Sequence, residues 1–153
     1  MMLPEANFRQ YGLPMGKPKG IVIHNTNTPL SAQKCAEWMT NSKTSRGAHY
    51  FVDADEVIQM LPLDWSCFNT GKGMDFGNTQ CISIEICTDP SERRYEQGER
   101  RAIDLIKRLM KEYCIDLTGI YFHRDFNSSV NCPAQILKKY GTKQNFLNLL
   151  KGE

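Results

Sequence analysis

The stretch Cys81-Ile82-Ser83-Ile84-Glu85-Ile86-Cys87 alternates with period two. Side chains along a strand point to opposite faces in turn, so this run reads as a β-strand. Ile82, Ile84 and Ile86 mark its apolar face, and Ser83 and Glu85 share the other. Upstream, Gly20-Ile21-Val22-Ile23-His24-Asn25 is a short apolar run that reads as a buried strand. Ala48 to Asp53 and Val57 to Leu61 read as two more strands around the turn Asp53-Ala54-Asp55-Glu56. Ile120 to His123 reads as a fifth.

Helical patterns fall between these strands. Ser31 is a good N-cap, and Ala32, Cys35, Ala36 and Met39 follow at i, i+3, i+4 and i+7, which predicts a helix ending near Asn41. Trp38 lies on that helix and is read as packing. The charged segment Ser91 to Arg101 leads into the longest helix, with Ala102, Ile106, Leu109 and Tyr113 as its buried stripe. Pro133 suits a first helical turn and Ala134 to Tyr140 continues it, while Asn145 to Lys151 forms a last short helix. Residues 1–19 hold three prolines and read as an irregular arm, and 69–77 as a glycine-rich loop. Helices interleaved with short strands predict an α/β fold, a central mixed β-sheet flanked by helices, with residues 1–153 as a single domain.

The bulk numbers narrow the function classes. A chain of 153 residues with 41% hydrophobic and 24% charged residues is an ordinary globular protein able to build a sizeable core. A formal net charge of +2 argues against a dedicated nucleic-acid binder. No apolar run reaches membrane-spanning length. Residues 1–20 lack an apolar core followed by a small-residue cleavage site, so synthesis in the cytosol is expected; a monomer is expected as well. The six cysteines are scattered without a short CxxC pair, and buried reduced thiols account for most of them. Cys35 and Cys114 are read on apolar helical faces. Cys132 differs, because it sits in a polar loop before a proline.

The chain has only three histidines, His24, His49 and His123, each in or beside an apolar strand-like run. Imidazole and thiolate are the side chains zinc prefers. Two strand-end histidines, His24 and His123, could lie side by side in one sheet, and Cys132 is close enough in sequence to His123 to curl back. Three such ligands leave a fourth position open, the mark of a catalytic rather than a structural zinc. A strand-end histidine can equally be hydrogen-bonded and inert. Glu85 is the only acid inside a strongly apolar strand; it is either a general base or a solvated outward position on an edge strand. Asp125 and Asp64 are weaker candidates for that role.

In chain order, Ile21-Val22-Ile23-His24-Asn25-Thr26, Ala48-His49-Tyr50-Phe51-Val52-Asp53, Ser83-Ile84-Glu85-Ile86 and His123-(x8)-Cys132-Pro133 resemble the zinc-dependent N-acetylmuramoyl-L-alanine amidases. This is the type-2 amidase family, which includes phage endolysin catalytic domains and peptidoglycan recognition proteins. The resemblance spans about residues 18–140. It implies that His24, His123 and Cys132 bind Zn²⁺ and that Glu85 is the base. The implied reaction is hydrolysis of the amide joining N-acetylmuramic acid to L-alanine of peptidoglycan, as in a phage or prophage endolysin. Such a protein would wait in the cytoplasm until release to the cell wall, without contacting nucleic acid or membrane, and with no wall-binding domain within these residues. His49, Asn25, Trp65, Asn69 and Lys72 are read as substrate-binding residues along the groove. Family members carry a lysine two residues before the cysteine; here Val130 stands there, with Arg124 and Asn131 as candidate replacements. Two competing readings are a non-catalytic wall-recognition module on the same fold and a thiol hydrolase using Cys132 with His123.

Overall fold

The computed structural model describes residues 2–152. Five strands form one mixed sheet: β1 (Gly20–Asn25), β2 (Tyr50–Val52), β3 (Val57–Gln59), β4 (Cys81–Ile86) and β5 (Ile120–Phe122). Their spatial order is β3-β2-β4-β1-β5. β1 runs parallel to both β4 and β5, β2 runs parallel to β4, and only the β2–β3 hairpin is antiparallel. The helices are α1 (Phe8–Tyr11), α2 (Ala32–Asn41), α3 (Phe76–Gln80), α4 (Glu92–Tyr113), α5 (His123–Phe126), α6 (Ala134–Tyr140) and α7 (Lys143–Leu147). The mixed sheet flanked by helices agrees with the α/β expectation.

The period-two pattern of β4 sorts the sheet into two faces. Ile82, Ile84 and Ile86 pack with Ile21 and Ile23 against Ala102, Ile106 and Leu109 of α4 and against Ile136 and Phe146. Burying each isoleucine contributes roughly 1.5–3 kcal/mol, so this face anchors the fold. The other face carries Phe51 and Ile58 against Ala32, Ala36 and Met39 of α2. His24 and Glu85 belong to this second side by alternation. β4 lies in the middle of the sheet, so Glu85 is not on an edge strand.

Local chemistry fixes the helix entries. Ser31 caps α2 by accepting from Lys34 N at 3.2 Å. Asp53 adds a tertiary cap: its Oδ2 accepts from Ala32 N at 2.7 Å while Oδ1 closes the β2–β3 turn through Asp55 N and Glu56 N. One carboxylate thereby ties the hairpin to the start of α2.

Four expectations change. The arm at residues 1–19 is partly ordered, with a 3₁₀ turn at Glu5–Asn7, then α1. Tyr11 is buried and its hydroxyl donates to the Met39 carbonyl. α3 occupies part of the expected glycine-rich loop, capped by Asp75, which accepts from Asn78 N at 2.7 Å. Cys114 is exposed at the end of α4 with a left-handed φ of 54°, not on a packed helical face. Pro133 precedes α6 as its cap, after a cis peptide bond from Cys132. All six thiols are free, five of them buried. Among the described residues no helix is long and apolar enough to cross a membrane.

Candidate metal centre

Strand register assembles the site. His24 pairs directly with Glu85 across β1 and β4. Ile23 pairs with Phe122 of β5, so His123 follows immediately beside His24. Parallel strands end on the same side, and these three ends open into one groove, where ligands of open α/β sheets generally sit. Cys132 comes in from the loop before α6. Its carbonyl accepts from Arg124 N at 3.1 Å, which folds the loop back onto the start of α5. The ligand atoms of His24, His123 and Cys132 all lie within 4.8 Å of one another, and all three residues are buried. The rings of His24 and His123 are 4.7 Å apart.

Oxygen acceptors engage the same nitrogen, Nε2, on both rings. His24 Nε2 lies 2.8 Å from Asn69 Oδ1, and His123 Nε2 lies 2.9 Å from the Thr70 carbonyl. Both partners are acceptors, so each Nε2 carries the proton and each Nδ1 keeps its lone pair. Burial pushes the His24 pKa down to about 3, with His123 and Arg46 lowering it further against the Asn69 bond. His123 is lowered chiefly by burial as well. Two neutral imidazoles with oriented lone pairs are what a metal requires, and an outer acceptor on the second nitrogen is its usual companion.

Cys132 Sγ lies 3.6 Å from His24 Nδ1. Nitrogen and sulfur ligands on a tetrahedral zinc stand about 3.5 Å apart, given bonds of about 2.0 and 2.3 Å. Burial pushes the Cys132 thiol up to about 12, and Glu85 adds to the rise. A cation among the three donors reverses that preference and yields thiolate. The donor set and its spacing therefore fit a divalent ion of the zinc type.

Glu85 Oε1 sits 3.7 Å from His24 Nδ1. With His24 neutral this is not an ion pair. Its other oxygen, Oε2, is buried and without a hydrogen-bond partner among the described residues. The side chain keeps 20% exposure, towards the groove. Burial pushes the carboxyl up to about 8, Cys35 raises it further, and Arg46 opposes both. An orphaned carboxylate oxygen beside the cluster is costly unless something binds there, since leaving a buried acceptor unsatisfied costs about 1–3 kcal/mol or more.

The groove has a volume of about 400 Å³. Of the five residues expected to contact substrate, Asn25 and Asn69 border the groove, and His49, Trp65 and Lys72 do not. His49 is completely buried: Nδ1 accepts from Ser83 N at 2.9 Å, and Nε2 faces the Trp65 carbonyl at 2.6 Å. It pins β2 to β4 rather than lining the groove, and burial pushes its pKa down to about 4. Trp65 packs against Phe8 and donates Nε1 to the Phe8 carbonyl at 3.0 Å, away from the groove. Lys72 is exposed on its loop and does not reach the groove. Asn25 borders it, but its amide is engaged: Oδ1 accepts from Gln135 N and Ile136 N at 2.9 and 3.0 Å, clamping α6, while Nδ2 donates to Ile86 O and Tyr95 Oη. Asn69 also borders the groove, and its Oδ1 is engaged with His24.

Asp125 accepts from Phe122 N and Lys143, and Asp64 is exposed; neither lines the groove. Of the two candidate replacements for the lysine, Asn131 lines the groove beside Val130 and Arg124 does not. Arg46, from the polar stretch after α2, is the one lysine or arginine that does among the described residues. Nothing in its neighbourhood in sequence distinguished it. Trp38 and Leu30 line the groove too. Trp38 had a legible signal: it falls outside the 32/35/36/39 stripe that faces the core.

Asn69 is itself held by Cys67 O, which accepts from Nδ2 at 2.6 Å. Asn69→Ala frees the His24 ring to rotate or change tautomer. We expect metal affinity to fall roughly 10–100-fold, the usual cost of losing an outer partner. Competition against a chromophoric chelator measures it; unchanged affinity would show that Asn69 does not orient His24.

The family profile described as N-acetylmuramoyl-L-alanine amidase matches residues 14–135. CwlA of Bacillus subtilis strain 168, named an N-acetylmuramoyl-L-alanine amidase, is 34% identical over 135 residues, covering 85% of this chain and 49% of the relative. The solved structure of PlyL is similar with a TM-score of 0.92 at 26% identity, covering 99% of this chain and 95% of that one. The catalytic domain of XlyA gives 0.86 at 28% identity, covering 99% of both chains. The chain spans about half the length of the curated relatives it matches.

Proposed function

Because the chain belongs to the N-acetylmuramoyl-L-alanine amidase family, we propose that it hydrolyses the amide between N-acetylmuramic acid and L-alanine of peptidoglycan, as the catalytic unit of a phage or prophage endolysin. His24, His123 and Cys132 would hold Zn²⁺ and Glu85 would move the proton. The observation that carries this reading is Glu85, a groove-lining residue whose buried Oε2 has no partner among the described residues and whose Oε1 lies 3.7 Å from His24 Nδ1, beside three clustered metal donors.

When bound, zinc lowers the pKa of water and polarises a carbonyl. The chain's own residues do the rest. Glu85 takes a proton from the attacking water and hands it to the amide nitrogen as the C–N bond breaks. With a cation held by His24, His123 and Cys132, Glu85 would ionise more readily than without it and so would stay available as base. Asn69 and the Thr70 carbonyl hold the imidazoles in one tautomer throughout, so the donors need no reorganisation. Burial raises the Cys132 thiol, which disfavours the metal-free thiolate that a cysteine nucleophile would need.

Elemental analysis of the purified protein should find about one zinc per chain, as a three-residue catalytic site holds. Intact protein should release peptides with a new L-alanine N-terminus from cell walls, read by mass spectrometry, and chelation should stop it. Release that continues without metal, or products that carry new reducing sugar ends instead, would overturn the proposal.

A further inference from the structure

Trp38 is 52% exposed and Leu30 43%, yet both line the metal groove rather than open surface. α2 is anchored without them, through Ala32, Cys35, Ala36 and Met39. An exposed indole costs solubility and contributes little to packing, so its position asks for a ligand. Among the described residues nothing accepts from its indole N–H. Thr26, Asn27 and Thr28, from the segment between β1 and α2, line the same groove. The Asn27 amide and the Thr28 hydroxyl are exposed and have no partner among the described residues. Asn27 has a φ of 57°, so the loop turns sharply between β1 and α2.

We infer that Trp38, Leu30, Asn27 and Thr28 form a subsite for a pyranose ring of the glycan on the acyl side of the scissile amide. This rests on the amidase reading and names where the sugar lies. A pyranose presents a flat C–H face with hydroxyl and acetamido groups around its edge. An indole, a neutral amide and a hydroxyl lining one groove match that pattern. Charged side chains do not: the groove's charges, Arg46 and Glu85, come from other elements. A stem peptide, with its free carboxylates and amine, would be met by charge rather than by this wall.

The chain has two tryptophans, and Trp65 Nε1 is engaged with Phe8 O. An NMR spectrum of ¹⁵N-labelled protein therefore shows two indole N–H peaks, assigned with Trp38→Phe. Titration with the peptide-free disaccharide of N-acetylglucosamine and N-acetylmuramic acid should shift the Trp38 peak saturably and leave Trp65 in place. In kinetics, Trp38→Ala should lower the preference for a muramoyl-dipeptide over the lactyl-dipeptide lacking the ring by about tenfold, the size of one stacking contact. Trp38→Tyr should restore most of that preference. An unmoved Trp38 peak at millimolar saccharide, or an unchanged substrate preference, overturns the subsite. If wild-type protein cleaves neither substrate, the amidase reading fails, while the disaccharide titration still decides the subsite.

Discussion

Replacing Glu85 with glutamine should lower hydrolysis of cell-wall peptide amides by about 10²–10⁴-fold, the range general acid–base catalysis contributes. The amide keeps the shape and the position beside His24 but cannot accept the water proton. Metal content should stay at the wild-type level, because Glu85 lies outside the three-donor cluster. Thermal stability should hold or rise. Burial already disfavours the charged carboxylate, and its Oε2 has no partner to lose. Three measurements separate the outcomes: single-turnover release of L-alanine-terminated peptide, elemental analysis and a melting curve. Turnover within twofold of wild type would remove Glu85 from the chemistry. Loss of metal along with activity would make Glu85 part of the metal site rather than the base.

Cys132→Ala should have the largest effect on metal. It removes the one soft donor, so affinity should fall by more than the roughly 10–100-fold that losing an outer partner costs. Stability provides a second reading. A ligand that binds only the folded state at 100 times its Kd stabilises by about 2.7 kcal/mol, so excess zinc should raise the wild-type Tm. The variant should melt at the same temperature with and without zinc. The substitution removes only one buried sulfur, at the surface of the core rather than within the isoleucine layer, so the fold should survive it. Undiminished zinc affinity in Cys132→Ala would exclude the thiolate as a ligand.

Much of the fold was readable from local patterns. The period-two run at β4 and the apolar run at β1 announce strands because a pleated backbone alternates its side chains. The stripe 32/35/36/39 announces α2 to its last residue, Asn41. α3 escaped notice because five residues with one glycine make no apolar stripe; only Asp75 as a cap signalled it. The arm before β1 gained order through tertiary bonds, Tyr11 to Met39 and Leu3 N to Met60 O, that no local pattern encodes. His49 and Trp38 exchanged roles for a similar reason. His49 lies immediately before β2, beside β4, and its ring is engaged by Ser83 N and the Trp65 carbonyl; Trp38 lies on the flank of a helix whose core-facing side was already filled.

The sequence by itself determined the chemistry available: two imidazoles at strand ends, one thiol before a proline, and one carboxylate on the polar face of an apolar strand. Those identities follow from residue type and spacing, which local backbone geometry preserves. Only the tertiary structure decided which of them meet. The parallel register of β1 with β4 and β5 sets His24 beside Glu85 and His123, and the Arg124–Cys132 backbone bond brings in the thiol. It also decided which nitrogen each imidazole offers, through Asn69 and Thr70 from a loop distant in sequence. Register and partner choice depend on packing summed over the whole sheet, and no window of adjacent residues contains that sum.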